Sequence, residues 1–188
     1  VYYKLPPIDA LTEYRPKIPL RIYTADGDLI GEFGEERREF VSIEEMPRHM
    51  RLAILAAEDN GFYEHSGIEF MGIARAALSN ILTGSRGQGG STITMQVARN
   101  FFLTSERSYV RKLYEVALAF KIEQNLTKDE IFEAYANQIF LGHRSYGFGS
   151  AAQTYFGKDL KDLSISEAAV LAGLPVAPSA YNPIVNMR

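Results

Sequence analysis

Past residue 42 the apolar residues recur with a helical period, and ahead of that point only one stretch alternates. This change of period constrains the fold more than any single motif does. It predicts helices over Ser42 to about Glu58, over Gly67 to Leu82 with Phe70, Ile73, Ala74, Ala77, Leu78 and Ile81 on one face, and over Ser91 to Phe102. The segment from about Ser105 to Asn125 is apolar around much of its circumference and reads as another. Thr127 with Glu130 and Ser164 with Glu167 have the spacing of capping boxes that open two more. Gly157 and Pro175 read as stops for helices beginning near Gly147 and Ser164.

In "PLRIYTADGDLIGEFG", residues 19–34, apolar and polar residues alternate on both sides of Asp26-Gly27, a pair suited to a tight hairpin turn with positive φ. The expected fold is therefore mainly α with a short N-terminal β-hairpin. Residues 1–18 hold Pro6, Pro7 and Pro16 with no period and read as an arm or linker, leaving 19–188 as one domain.

The overall charge of −3 argues against a nucleic-acid partner, because phosphate neutralisation needs a basic face. With no cysteine and only His49, His65 and His143, thiolate metal sites are excluded and imidazole ligands are few. No apolar run approaches the ~18 to 20 residues that span a bilayer. The chain starts at Val1 and reads as an excised domain whose anchor lies outside it.

The stretch "AAEDNGFYEHSGIEF", residues 56–70, sets Glu58 and Asp59 at the end of an alanine-rich helix. Negative charge there is disfavoured by roughly 0.3 to 1 kcal/mol at an exposed site, and partial burial adds to the effect. Both push a carboxylate pKa upward, so Glu58 is a candidate general base or acid with Asp59 as a neighbouring hydrogen-bond partner. A solvated helix end followed by a loop explains the same residues. His65, with no second ligand at metal spacing, reads as a structural hydrogen-bonder that fixes the loop.

A second cluster begins at "GSRGQGG", residues 84–90, a glycine-rich loop expected to be mobile. Ser91 and Thr92 follow at a helix start, where free N–H groups favour anions. Residues 84–114 hold five Arg or Lys and a single acid, in a chain that is acidic overall. Arg107, Arg111 and Glu115 are spaced four apart on one face, with Lys112 three residues from Glu115. A surface ion pair is the plainer account of Arg111 and Glu115. Two separated carboxylates beside a cationic surface also suit substitution at a sugar carbon with a phosphate leaving group.

Motifs spread from about residue 40 to 185 resemble those of the glycosyltransferase domain of class A penicillin-binding proteins. "EDNGFYEHSG" (58–67), "GGSTITMQ" (89–96), "RKLYE" (111–115) and "KDEIFEAYANQIFLG" (128–142) are similar to its first four motifs in order. "RSYGFGSAAQTYFGK" (144–158) and "EAAVLAGLPVAPSAYNP" (167–183) resemble the rest of the signature. Met95 stands where the family usually has Gln, and Ala136 where it usually has Leu; Met95 is the one that bears on glycan-chain contacts.

The resemblance implies a lysozyme-like helical larger lobe and a smaller membrane-facing lobe, with the active cleft between them. The apolar face of residues 68–82 is its candidate for membrane contact, and core packing explains that face equally well. It implies polymerisation of lipid II into β-1,4 glycan strands with inversion at the donor anomeric carbon and release of undecaprenyl pyrophosphate. Carried over residue by residue, the catalytic pair is Glu58, as the base, and Glu115, which positions the cations or supports the donor. Lys112, Arg111 and Arg107 stabilise the pyrophosphate, while Ser91, Thr94 and Gln96 hold the sugar-pyrophosphate region. Asp59, Phe62, His65 and Gly90 support the site.

No cofactor is required, and Mg²⁺ is compatible with a pyrophosphate substrate although no dedicated metal cage is evident. The implied partners are lipid II, the growing glycan strand, the outer, periplasmic face of the bacterial inner membrane and a transpeptidase domain C-terminal to this one. A lysozyme-like lytic enzyme and a non-catalytic peptidoglycan-binding module are the rival readings; the basic cluster argues against the first and the two acids against the second.

Overall fold

The computed structural model describes residues 5–12, 20–34, 36–70, 72, 90–103 and 109–185. The chain is mainly helical and divides into two compact units, one of residues 1–13 with 58–135 and one of 14–57 with 136–188. Arg107, residues 84–89 of the glycine loop and most of the apolar face expected over 68–82 lie outside the described residues. Of that face, Ile68 is buried and Phe70 is exposed.

In the first unit, α1 (Asp9–Thr12) is a single turn. Leu5 and Leu11 are buried and Lys121 donates to the Pro6 carbonyl at 2.8 Å, so this part of the arm is packed where the prolines suggest a linker. A few apolar side chains suffice for that, since each buried one contributes about 1.5–3 kcal/mol.

The hairpin in the second unit pairs β1 (Leu20–Tyr23) with β2 (Leu29–Phe33), antiparallel, with Leu20 opposite Phe33. Its turn is longer than a two-residue loop: Gly27 N–H donates to Thr24 O, Thr24 N–H to Asp28 O, and only Gly27 carries positive φ, at +93°. A single left-handed glycine closing the turn leaves Asp26 in ordinary backbone space. A two-residue strand, β3 (Arg37–Arg38), pairs in parallel with β4 (Ser145–Tyr146). Asn137 reinforces that region by donating to Val41 O and accepting from Val41 N–H, both at 2.8 Å.

Helix α2 runs Arg48–Glu58, shorter than the expected start at Ser42. Pro47 is the reason. It disfavours helical backbone at Met46 and contributes no N–H, so the chain makes a Ser42–Glu45 turn and begins again with Met50 and Arg51 N–H bonded to Pro47 O. Among the described residues, α3 (Ile93–Phe102), α4 (Tyr109–Glu123) and α5 (Lys128–Gln138) come next. Phe62, Ile93, Met95, Leu118, Ile122, Ile131 and Phe132 are fully buried in the first unit. The Phe62 and Phe132 rings are 6.0 Å apart, and truncating such a ring costs about 3–5 kcal/mol.

Met95 packs with Ile68 and Ala119, so its difference from the family pattern is a core substitution rather than one in a glycan-contacting surface. Ala136 is likewise buried. In the second unit, α6 (Phe148–Phe156) ends at Gly157 with φ +63°, and α7 (Ile165–Gly173) opens on the Ser164–Glu167 capping box. Pro175 falls within a 3₁₀ turn, Leu174–Val176, that continues the chain past α7.

Candidate active site

Glu58 is the last residue of α2 and is partly buried. Its Oε2 accepts a 2.7 Å hydrogen bond from Gln96 Nε2 on α3. Burial pushes its carboxyl above the ordinary 4.5, an effect opposed by the Gln96 bond and the charge of Arg99 and reinforced by the charge of Asp59. Arg99 lies three residues past Gln96 and is absent from the residues read as functional above. The i, i+3 spacing on a helix that already carries Gln96 is the signal that could have found it.

Asp59 does not bond Glu58. Its carboxylate takes the Ile93 N–H at 3.0 Å, at the first residue of α3, and His65 Nε2 sits 3.0 Å from both of its oxygens. Gly67 N–H donates to His65 Nδ1 at 3.1 Å, which places the ring proton on Nε2, facing Asp59. The loop is pinned again where Thr92 donates to the Gly67 carbonyl at 2.6 Å and, as N-cap of α3, accepts from Met95 N–H. Gly67 has φ +89°, and a Cβ there would lie 3.0 Å from Glu123 Cγ and 3.3 Å from Ala119 O. Only glycine fits.

The cap is Thr92, which releases Ser91 for another bond: Lys112 Nζ donates to Ser91 Oγ at 2.8 Å. The same Nζ is 3.5 Å from Glu115 Oε1. Glu115 is 1% exposed while the Lys112 side chain is 45% exposed, so the cation caps a buried acid and still faces solvent. Arg111 lies beside it on α4, partly buried. Gly90, partly buried, directly precedes Ser91.

Two of the residues carried over from the resemblance, Thr94 and Phe62, are fully buried. The Thr94 hydroxyl donates to Glu123 Oε1 at 2.6 Å. Phe62 is fully buried against Phe132, and Lys128 Nζ lies 4.5 Å from its ring centroid, which makes it a core anchor of the loop. No group of three or more His, Cys, Asp or Glu is placed to hold a metal among the described residues.

A family model described as Transglycosylase matches residues 26–188. Penicillin-binding protein 1A of Neisseria gonorrhoeae is 59% identical over 185 residues, which cover 98% of this chain and 23% of that protein. Penicillin-binding protein 1A of Escherichia coli strain K12 is 52% identical over 184 residues, covering 98% and 22%. A crystal structure of penicillin-binding protein 1A from Haemophilus influenzae matches at 33% identity with a TM-score of 0.46, over 92% of this chain and 16% of that one. The chain belongs to the transglycosylase family, as a peptidoglycan glycosyltransferase domain of the kind carried by class A penicillin-binding proteins. It spans less than a quarter of the length of these relatives.

Proposed function

We propose that the protein polymerises lipid II with Glu58 as general base. The Glu58 carboxylate takes the proton of the acceptor sugar 4-hydroxyl. That oxygen then bonds to the donor anomeric carbon from the face opposite the pyrophosphate. The carbon–oxygen bond to undecaprenyl pyrophosphate breaks, its electron pair leaves with the pyrophosphate, and the product is an inverted β-1,4 link.

The observation that carries this reading is the environment of Glu58: a partly buried carboxylate raised above its ordinary pKa yet held by a donor, Gln96, that favours its charged form. Lys112, half-exposed and bridging Ser91 and Glu115, supports a role for that cation at the leaving pyrophosphate. Arg111, Arg107 and Arg99 add positive charge in the same stretch of sequence. Glu115 serves to hold Lys112. The proposed setting is the periplasmic face of the bacterial inner membrane, with a C-terminal transpeptidase domain in the full-length protein, a reading supported by relatives more than four times as long as this chain; lipid II brings its own lipid to the reaction. Any Mg²⁺ belongs with the pyrophosphate substrate.

The protein is incubated with lipid II in detergent and the products are separated by length. Lengthening strands are expected from the parent, and none from Glu58→Gln with its unfolding transition intact. Polymerisation by Glu58→Gln at the parent rate would refute the base assignment, and cleavage of mature glycan without synthesis would mean a lytic enzyme.

A further inference from the structure

Thr94, Glu123 and Lys128 form a chain of contacts that ends on α3 at one side and on the Glu58 loop at the other. The Thr94 hydroxyl and Lys128 Nζ both donate to Glu123 Oε1, at 2.6 and 2.7 Å. Lys128 lies over the ring of Phe62, which belongs to the loop that begins at Glu58. The same loop packs on Glu123 at Gly67. From Thr94 the path runs through α3 to Gln96, and from Gln96 back to Glu58.

Helical geometry says what this chain of contacts does. At about 100° per residue, Thr94 and Gln96 project from nearly opposite sides of α3. Asp59 at Ile93 N–H and Thr92 at the Gly67 carbonyl hold the start of the helix along its length. The Ile93 bond is made at a backbone N–H close to the axis, where it has little leverage over rotation. Thr94 grips from the side away from Glu58, and Glu123 is itself braced by Lys128.

We propose that Thr94, backed by Glu123 and Lys128, is a positioning residue that fixes the rotation of α3 bringing Gln96 to Glu58. The inference rests on Glu58 as the base, and it makes Thr94 a determinant of turnover rather than of substrate affinity.

The test is a double-mutant cycle read in lipid II polymerisation, with Thr94→Val, Gln96→Ala and the pair, and Thr94→Ser as the conservative control. Thr94→Val keeps the side-chain volume and removes the donor. Its kcat is expected to fall about tenfold with KM within about twofold, since small misplacements of reacting groups act on turnover. Thr94→Ser recovers most of the loss. In the Gln96→Ala background Thr94→Val costs less than about twofold, because the group it positions is gone.

Equal losses in both backgrounds would overturn the proposal, as would a rise in KM at unchanged kcat, which would return Thr94 to the substrate. A kcat loss matched by an equal loss of folded protein at the assay temperature would also overturn it. Glu58→Gln is assayed alongside: if it kept the parent rate while the cycle still showed coupling, the base assignment would fall and the positioning role would stand.

Discussion

Asp59 Oδ2 accepts the backbone N–H of Ile93 at 3.0 Å, so of the two adjacent acids at the end of α2 the second is bonded to the start of α3. This resolves the placement of two carboxylates at a helix's carbonyl end. Asp59 is hydrogen-bonded at another helix's N-terminus, and Glu58 is the acid whose burial raises its carboxyl above the ordinary 4.5.

Asp59 should therefore matter to folding as well as to activity. Replacing it by Ala removes a buried acceptor of Ile93 N–H and the His65 partner together. Charge-assisted hydrogen bonds of this kind contribute about 1.5–3 kcal/mol each at most, so a loss of roughly 2–4 kcal/mol in denaturant unfolding is expected. A loss below about 0.5 kcal/mol would show that the loop is held by its apolar contacts alone.

Glu58 ties activity and stability to pH with opposite signs. Its folded pKa lies above the ordinary 4.5, so it favours the fold below about pH 4.5 and that contribution is lost as pH rises through the folded value. Glu58→Gln, which cannot ionise, is expected to melt higher than the parent at pH 8, with the gap closing as pH drops below the ordinary carboxylate value. Activity runs the other way, rising with pH through a transition above 4.5. Parallel melting curves at pH 8 and pH 4 would contradict the burial argument.

Gln96→Leu removes the donor that lowers the Glu58 pKa and leaves burial unopposed by that bond. The acid limb of the pH–rate profile should move to higher pH, so that the loss of activity is largest on the acid side and shrinks as pH rises. A uniform loss at every pH would mean that Gln96 acts on substrate rather than on Glu58.

Lys112→Met separates the two jobs of that cation. Turnover is expected to drop about 10²- to 10³-fold, as for removal of a group that stabilises developing charge. Stability should also fall, because Glu115, only 1% exposed, loses the ammonium 3.5 Å away. Adding Glu115→Gln should restore the melting temperature without restoring turnover. Recovery of both would leave Lys112 as a purely internal counter-ion.

How far each element was legible follows from the range of the interaction that makes it. The Ser164–Glu167 box and the left-handed stop at Gly157 are closed by residues within one helical turn, and spacing alone identifies them. The restart of α2 after Pro47 was also local, but capping residues at Ser42 and Glu45 mimic a helix start and conceal it. The parallel pairing of Arg37–Arg38 with Ser145–Tyr146 left no trace in either two-residue segment.

Among the site residues, Glu58, Gln96, Ser91, Lys112 and Glu115 were named from motif and charge pattern, and the bonds joining them emerge only in three dimensions. Arg99 lies outside those motifs, although its helical spacing from Gln96 marks it. Thr94 shares its motif with Ser91. On a helix, neighbours in sequence face different ways, and Thr94 turns inward to Glu123.

By itself, then, the sequence determined a mainly helical chain, the family motifs and the residue types available for chemistry, because periodicity, caps and turn residues act over a few positions. The tertiary structure decided the division of labour between Glu58 and Asp59, the inward turn of Thr94 and the bridge of Lys112 between Ser91 and Glu115. Those outcomes depend on burial and on hydrogen-bond partners brought in from distant segments, and neither quantity is carried by any one stretch of chain.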